Sequence, residues 1–228
     1  KVAEAIADYG KAIEHDPGNP DLFAARANLQ LASGAHELAL ADFDKAIELA
    51  PEASGSYQAR ARVHEASGDL EAARADYART TELNPDSAAA YAGLAAVEAS
   101  LGNPEEALAH YAGALELDPQ FASAYVNRAR VYESLDDYSS AVADYTAALK
   151  LGSAAGTESA LLYESRGGAY RAMGEIAKAL EDYSTAIEID PSRAGPFGNR
   201  GRLYEELGNL DMALLDSALA ILHPHAYT

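Results

Sequence analysis

One pattern of small, aromatic and proline residues returns about every 34 residues, and self-similarity at such a period limits the chain to a stack of supersecondary units. Ala5, Tyr9, Ala12 and Pro17 recur as Ala39, Phe43, Ala46 and Pro51, then as Ala73, Tyr77, Thr80 and Pro85, then as Ala107, Tyr111, Ala114 and Pro119. Ala141, Tyr145 and Ala148 follow at the same interval. Ala179, Tyr183, Ala186 and Pro191 come slightly late, and Ala213 restores the regular step. A second aromatic series keeps pace: Phe23, Tyr57, Tyr91, Tyr125, Tyr163 and Phe197. Between the two series stands a glycine, at 34, 68, 102, 174 and 208.

Each unit has two segments with apolar residues at three- and four-residue spacing, which predicts two amphipathic helices. The glycine supplies the left-handed backbone that ends the first helix. The alanines let the pair pack closely, and the proline stops the second helix. One hairpin cannot bury its apolar face alone, whereas stacked neighbours can.

These residues resemble the tetratricopeptide repeat family over nearly the whole chain. Asn199-Arg200-Gly201 matches a subtype with Asn-Arg-Gly in the first helix, and Asn127-Arg128-Ala129 is close to it. The resemblance implies an all-α, right-handed superhelical solenoid of antiparallel helix hairpins, with peptide or protein ligands on a concave face lined by the first helices. The boundaries expected for a single solenoid over 1–228 are a half repeat at 1–19 and full repeats at 20–53, 54–87, 88–121, 122–159, 160–193 and 194–228.

The unit at 122–159 departs from the pattern. Asp136 stands in place of the turn glycine, in a region of backbone space that Asp tolerates. The closing proline is missing, and residues 152–159 form a longer connection in which Gly152 ends one helix and Thr157 or Ser159 starts the next. The chain opens inside a second helix and closes on one, with no polar capping helix, so it is read either as part of a longer protein or as covered at an end by another chain.

Composition narrows the function. Seventeen Lys and Arg stand against 36 Asp and Glu, a formal charge of −19, which repels phosphate backbones and anionic membranes. Nucleic-acid binding and membrane insertion are not expected. Without cysteine there is no thiolate metal site, no disulfide and no cysteine nucleophile, and the compartment stays open between cytoplasmic and exported. The six histidines are scattered over different repeats, which gives no Ser-His-acid arrangement; His223 and His225 alone are a weak metal pair. No phosphate-cradling glycine loop is present. No cofactor, metal or enzymatic activity is expected.

Most tyrosines fall at recurring core positions, so the aromatic stripe reads as packing. Arg26, Arg60, Arg128, Arg166 and Arg200 recur at one place in the first helix, and Asp42, Asp76, Asp144, Asp182 and Asp216 at one place in the second. Both are lost together at Leu94 and His110, which predicts a structural ion pair inside each hairpin, Arg128–Asp144 and Arg166–Asp182 among them.

The family's concave positions, carried onto this chain, give a ligand groove of Asn28, Gln58, Arg62, Glu65, Ala92, Ala96, Arg130, Glu133, Arg171, Arg202 and Glu205. Arg62/Glu65, Arg130/Glu133 and Arg202/Glu205 are three residues apart, so each pair shares a helix face. Some members of the family clamp the terminal carboxylate of chaperones with lysine and asparagine. Here Ala59 stands where asparagine is needed and no lysine lies on this face, so that binding is not expected. The expected function is a non-enzymatic scaffold for a peptide or helix. A self-assembling subunit that stacks end to end with copies of itself is the alternative.

Overall fold

A computed structural model describes residues 1–152 and 156–222. Among them the chain is all α-helix: α1 (Val2–His15), α2 (Pro20–Ala32), α3 (His36–Leu49), α4 (Ser54–Ser67), α5 (Leu70–Leu83), α6 (Ala88–Leu101), α7 (Pro104–Leu117), α8 (Ala122–Ser134), α9 (Tyr138–Lys150), α10 (Thr157–Ala172), α11 (Ile176–Ile189), α12 (Ala194–Glu206) and α13 (Leu210–Leu222). From α2 onward they pair as hairpins: α2 with α3, α4 with α5, and so on to α12 with α13. The helices form two compact units, Lys1–Pro119 with α1–α7 and Gln120–Thr228 with α8–α13.

Local chemistry sets the helix ends. Asn19, Asp69, Ser87 and Asp137 cap α2, α5, α6 and α9, each side chain accepting a bond from a first-turn N–H. The turns inside the hairpins need a positive φ. Gly68 supplies it at 79°. Asp136 takes it at 58°, alone among the described non-glycine residues, and its carboxylate accepts the Tyr138 hydroxyl at 2.6 Å. At the longer connection, Gly152 has φ 63° and Thr157 opens α10; Ser153–Ala155 lie outside the described residues.

The hairpins pack on alanine and aromatic residues. In the first unit, Tyr77 of α5 is buried against Ala61, Ala73, Leu94 and Val97, so one ring joins its own hairpin to the first helix of the next. Gly93 permits this approach: a Cβ there would come within 2.5 Å of the Tyr77 ring. In the second unit Tyr145 is buried with Ala129, Ala141, Ala148 and Leu162 in the same manner. Burying one such ring contributes about 2 kcal/mol.

Candidate functional site: the first-helix face

One arginine in each first helix except α6 is taken up by the fold. Arg26, Arg60, Arg128, Arg166 and Arg200 each donate two parallel bonds, through Nε and Nη2, to the aspartate 16 residues on, at 2.6–2.8 Å. The aspartates are buried. The aspartate's hydrogen bonds and charge hold each guanidinium pKa above its ordinary value despite burial. In three of the five the remaining nitrogen reaches backward. Arg60 Nη1 meets Asp44 at 2.5 Å, Arg166 Nη1 meets Thr146 at 3.0 Å and Arg200 Nη1 meets Ser184 at 2.9 Å, all on the second helix of the preceding hairpin. Flanking rings complete the cradle: Arg166 lies 5.3 Å from the Tyr163 ring and 5.8 Å from that of Tyr170. In all five, Nε and Nη2 are taken up by a buried carboxylate of the same hairpin, which leaves that edge of the fork nothing to offer a ligand.

The α6–α7 hairpin is built differently. Leu94 is buried, the His110 ring stands 6.4 Å from that of Tyr91, and the buried Glu98 accepts from Asn103 Nδ2 at 2.7 Å.

The outward positions of the first helices carry the groove residues named from the sequence. In the first unit, Asn28 folds back on the Ala24 carbonyl at 2.8 Å, Gln58, Ala92 and Ala96 are half-buried, and Arg62 is exposed. Glu65 does not rely on Arg62. It accepts the Tyr77 hydroxyl at 2.5 Å, and burial together with that bond pushes the Tyr77 pKa above its ordinary range, against the nearby charge of Arg62.

The second unit repeats the device. Glu133 accepts the Tyr145 hydroxyl at 2.8 Å, and burial raises the Glu133 pKa. Glu164 takes Arg193 Nη2 at 2.9 Å and Asn199 Nδ2 at 3.2 Å, and it fills space that a side chain on Gly195 would occupy. Arg171 pairs with Glu206. Tyr183, whose pKa burial pushes up to about 12, has its hydroxyl against Gly168. Arg130 is exposed; it donates to Asn127 Oδ1 at 3.4 Å, and its charge acts on the neighbouring Glu133 and Tyr145. Arg202 and Glu205 are exposed.

Sequence spacing missed Tyr77 and Tyr145 as partners of the groove glutamates, and missed Arg193 and Asn199 as partners of Glu164. A usable signal was present for the first: Glu and Tyr stand 12 residues apart in both hairpins, Glu65 with Tyr77 and Glu133 with Tyr145. His223 and His225 lie outside the described residues, and no cluster of metal-ligating side chains occurs among the described ones.

The fold is shared with solved structures. MamA is 24% identical with a TM-score of 0.67, over 72% of this chain and 94% of that one. YrrB, solved as a TPR protein with an unusual peptide-binding site, is 24% identical with a TM-score of 0.66, over 80% and 92%. A tetratricopeptide repeat protein from Parabacteroides merdae is 20% identical with a TM-score of 0.71, over 99% and 88%. No curated protein matches the chain. The sequence model for the tetratricopeptide repeat matches residues 1–54, 59–122 and 99–159, and a second TPR repeat model matches 167–208. This chain therefore belongs to the tetratricopeptide repeat family, whose helical hairpins are scaffolds for protein interaction.

Proposed function

We propose that the protein is a non-enzymatic scaffold that holds an extended or helical segment of a partner protein against the outward face of its first helices. One observation carries this reading. Packing positions barely change from hairpin to hairpin, whereas the outward position runs Asn28, Arg62, Ala96, Arg130, Gly168, Arg202. Nothing in the packing requires that variation, and variation on an otherwise uniform scaffold is where ligand specificity resides. The peptide-binding site of YrrB, on a similar fold, supports the same reading.

The test is peptide selection from a displayed library, followed by blocking variants. Gly198 faces open space, so Gly198→Trp would obstruct the face without disturbing the core. Loss of binding with Gly198→Trp, and not with Glu181→Trp on α11, is the expected result. Equal effects of the two would sink the reading.

A second reading is self-association. Leu210, Leu214 and Ile221 lie along one side of α13 and are 61%, 70% and 77% exposed, an apolar stripe that favours contact with another chain. Light scattering across a wide concentration range decides it. Oligomers that grow with concentration and vanish in Leu214→Glu favour this reading, and a monomer at all concentrations removes it.

A further inference from the structure

In a chain of charge −19, cations are scarce and most are engaged. Among the described residues, ion pairs within 4.0 Å take up Lys11, Arg26, Lys45, Arg60, Arg74, Arg79, Arg128, Arg166, Arg171, Lys178, Arg193 and Arg200. The arginines that form no ion pair within that distance are Arg62, Arg130 and Arg202, and all three occupy the outward position of a first helix; Glu133, the carboxylate nearest Arg130 in sequence, feels its charge but is bonded to Tyr145. They fall in every second hairpin, alternating with Ala96 and Gly168.

The second unit shows what the arrangement leaves for a ligand. Its outward carboxylates are largely satisfied internally: Glu133 by Tyr145, Glu164 by Arg193 and Asn199, Glu206 by Arg171. Glu205 stays exposed beside Arg202. Between the arginines Gly168 contributes no side chain, with the Tyr183 hydroxyl beside it, and Gly198 opens on empty space. The face thus offers two exposed guanidinium groups, neither held in an ion pair within 4.0 Å.

We propose that the first-helix face of the second unit binds an acidic peptide segment, with Arg130 and Arg202 each pairing with a ligand carboxylate. This rests on the reading of that face as the ligand surface. A guanidinium fork matches a carboxylate in two parallel bonds, which a lysine or an apolar side chain of the ligand cannot form with it. The arginines lie on α8 and α12 with α10 between them, so a ligand meeting both spans three first helices, on the order of 20 Å at roughly 10 Å a helix. An extended chain covers that distance in about six residues, so the ligand carries Asp or Glu at two places about six residues apart. The net negative charge of the protein slows encounter with such a ligand at low salt, so selectivity lies in the bound complex and not in steering.

The test is selection of short peptides from a random displayed library, with fluorescence anisotropy of the winners against wild type, Arg130→Gln, Arg202→Gln and Arg130→Glu/Arg202→Glu. Both positions are exposed, and melting curves verify that the variants stay folded. The expected winners are acidic at two positions about six residues apart, each single variant binds them about tenfold more weakly, and the double charge reversal selects lysine-bearing peptides instead. Winners without acidic enrichment that are nonetheless blocked by Gly198→Trp would overturn this proposal and leave the face as the ligand surface. Winners untouched by Gly198→Trp, or no winners, would overturn both.

Discussion

Arg200 grips Asp216 edge-on, with Nε to Oδ2 and Nη2 to Oδ1 both at 2.8 Å, and Asp216 has no solvent exposure at all. A carboxylate in that position is tolerable only while its guanidinium is present. Arg200→Leu is therefore expected to cost about 3 kcal/mol, because it leaves the buried charge unpaired. Arg200→Leu with Asp216→Leu should recover most of that loss, as the α6–α7 hairpin already does without the pair. Urea unfolding midpoints of the two single variants and the double settle it. A double variant no more stable than Arg200→Leu would refute the account.

The backward-reaching bond makes a separate prediction. Ser184→Ala and Thr146→Val each remove an acceptor for an Nη1 group, at a cost of about 1 kcal/mol. Thr185→Ala is the control, since that hydroxyl bonds only to the Glu181 carbonyl of its own helix, and it should cost far less. Hydrogen exchange should quicken on both sides of the affected junction, in α11 and α12 for Ser184→Ala.

Two glycines in first helices should respond in opposite directions to the same substitution. Gly93→Ala pushes a methyl into the Tyr77 ring, an overpacking that costs about 2 kcal/mol. Gly198→Ala meets nothing and should stabilise by about 0.5–1 kcal/mol, through helix propensity and a less flexible unfolded chain. Thermal melting of the two variants reads both signs at once.

Glu133 supplies a pH effect. Burial raises its pKa in the folded chain, so the fold favours the protonated form. Between the unfolded carboxylate value, about 4.3, and the raised folded value, the native state holds more protons, so this group's contribution to stability falls as pH rises. Above the folded pKa its penalty is fully present. Glu133→Gln keeps an acceptor for Tyr145 and removes the charge, so it should raise the melting temperature at pH 7 by about 1–2 °C. The gain should shrink as pH falls below that window. A gain that grows on acidification would contradict this assignment.

The sequence made the repeats legible because their causes are local: spacing, capping residues, turn glycines and prolines. The Arg–Asp partners, one on each helix of a hairpin, were legible for a different reason, the joint change to Leu94 and His110 in one hairpin. The fate of the groove carboxylates was harder to read. Arg62 and Glu65 share a helix face, but spacing along one helix says nothing of what the other helix of the hairpin offers, and Tyr77 holds Glu65 at 2.5 Å. Glu164 depends on still more distant features: Arg193 and Asn199 as donors and the missing side chain of Gly195. Such competition is decided by packing in three dimensions. Once the competition is resolved, the arginines without an ion pair stand out.

The backward reach of Arg60, Arg166 and Arg200 also bears on how such arrays can be cut and recombined. Each of these side chains belongs to two hairpins at once, so a graft made between repeats severs its third bond. Because the aspartate recurs while the backward partner varies, the natural exchangeable block is the second helix of one hairpin together with the first helix of the next, with the recipient repeat supplying the aspartate. A chimera joined inside the hairpin turns, at the left-handed residue, would carry Asp44 with Arg60, Thr146 with Arg166 and Ser184 with Arg200 intact.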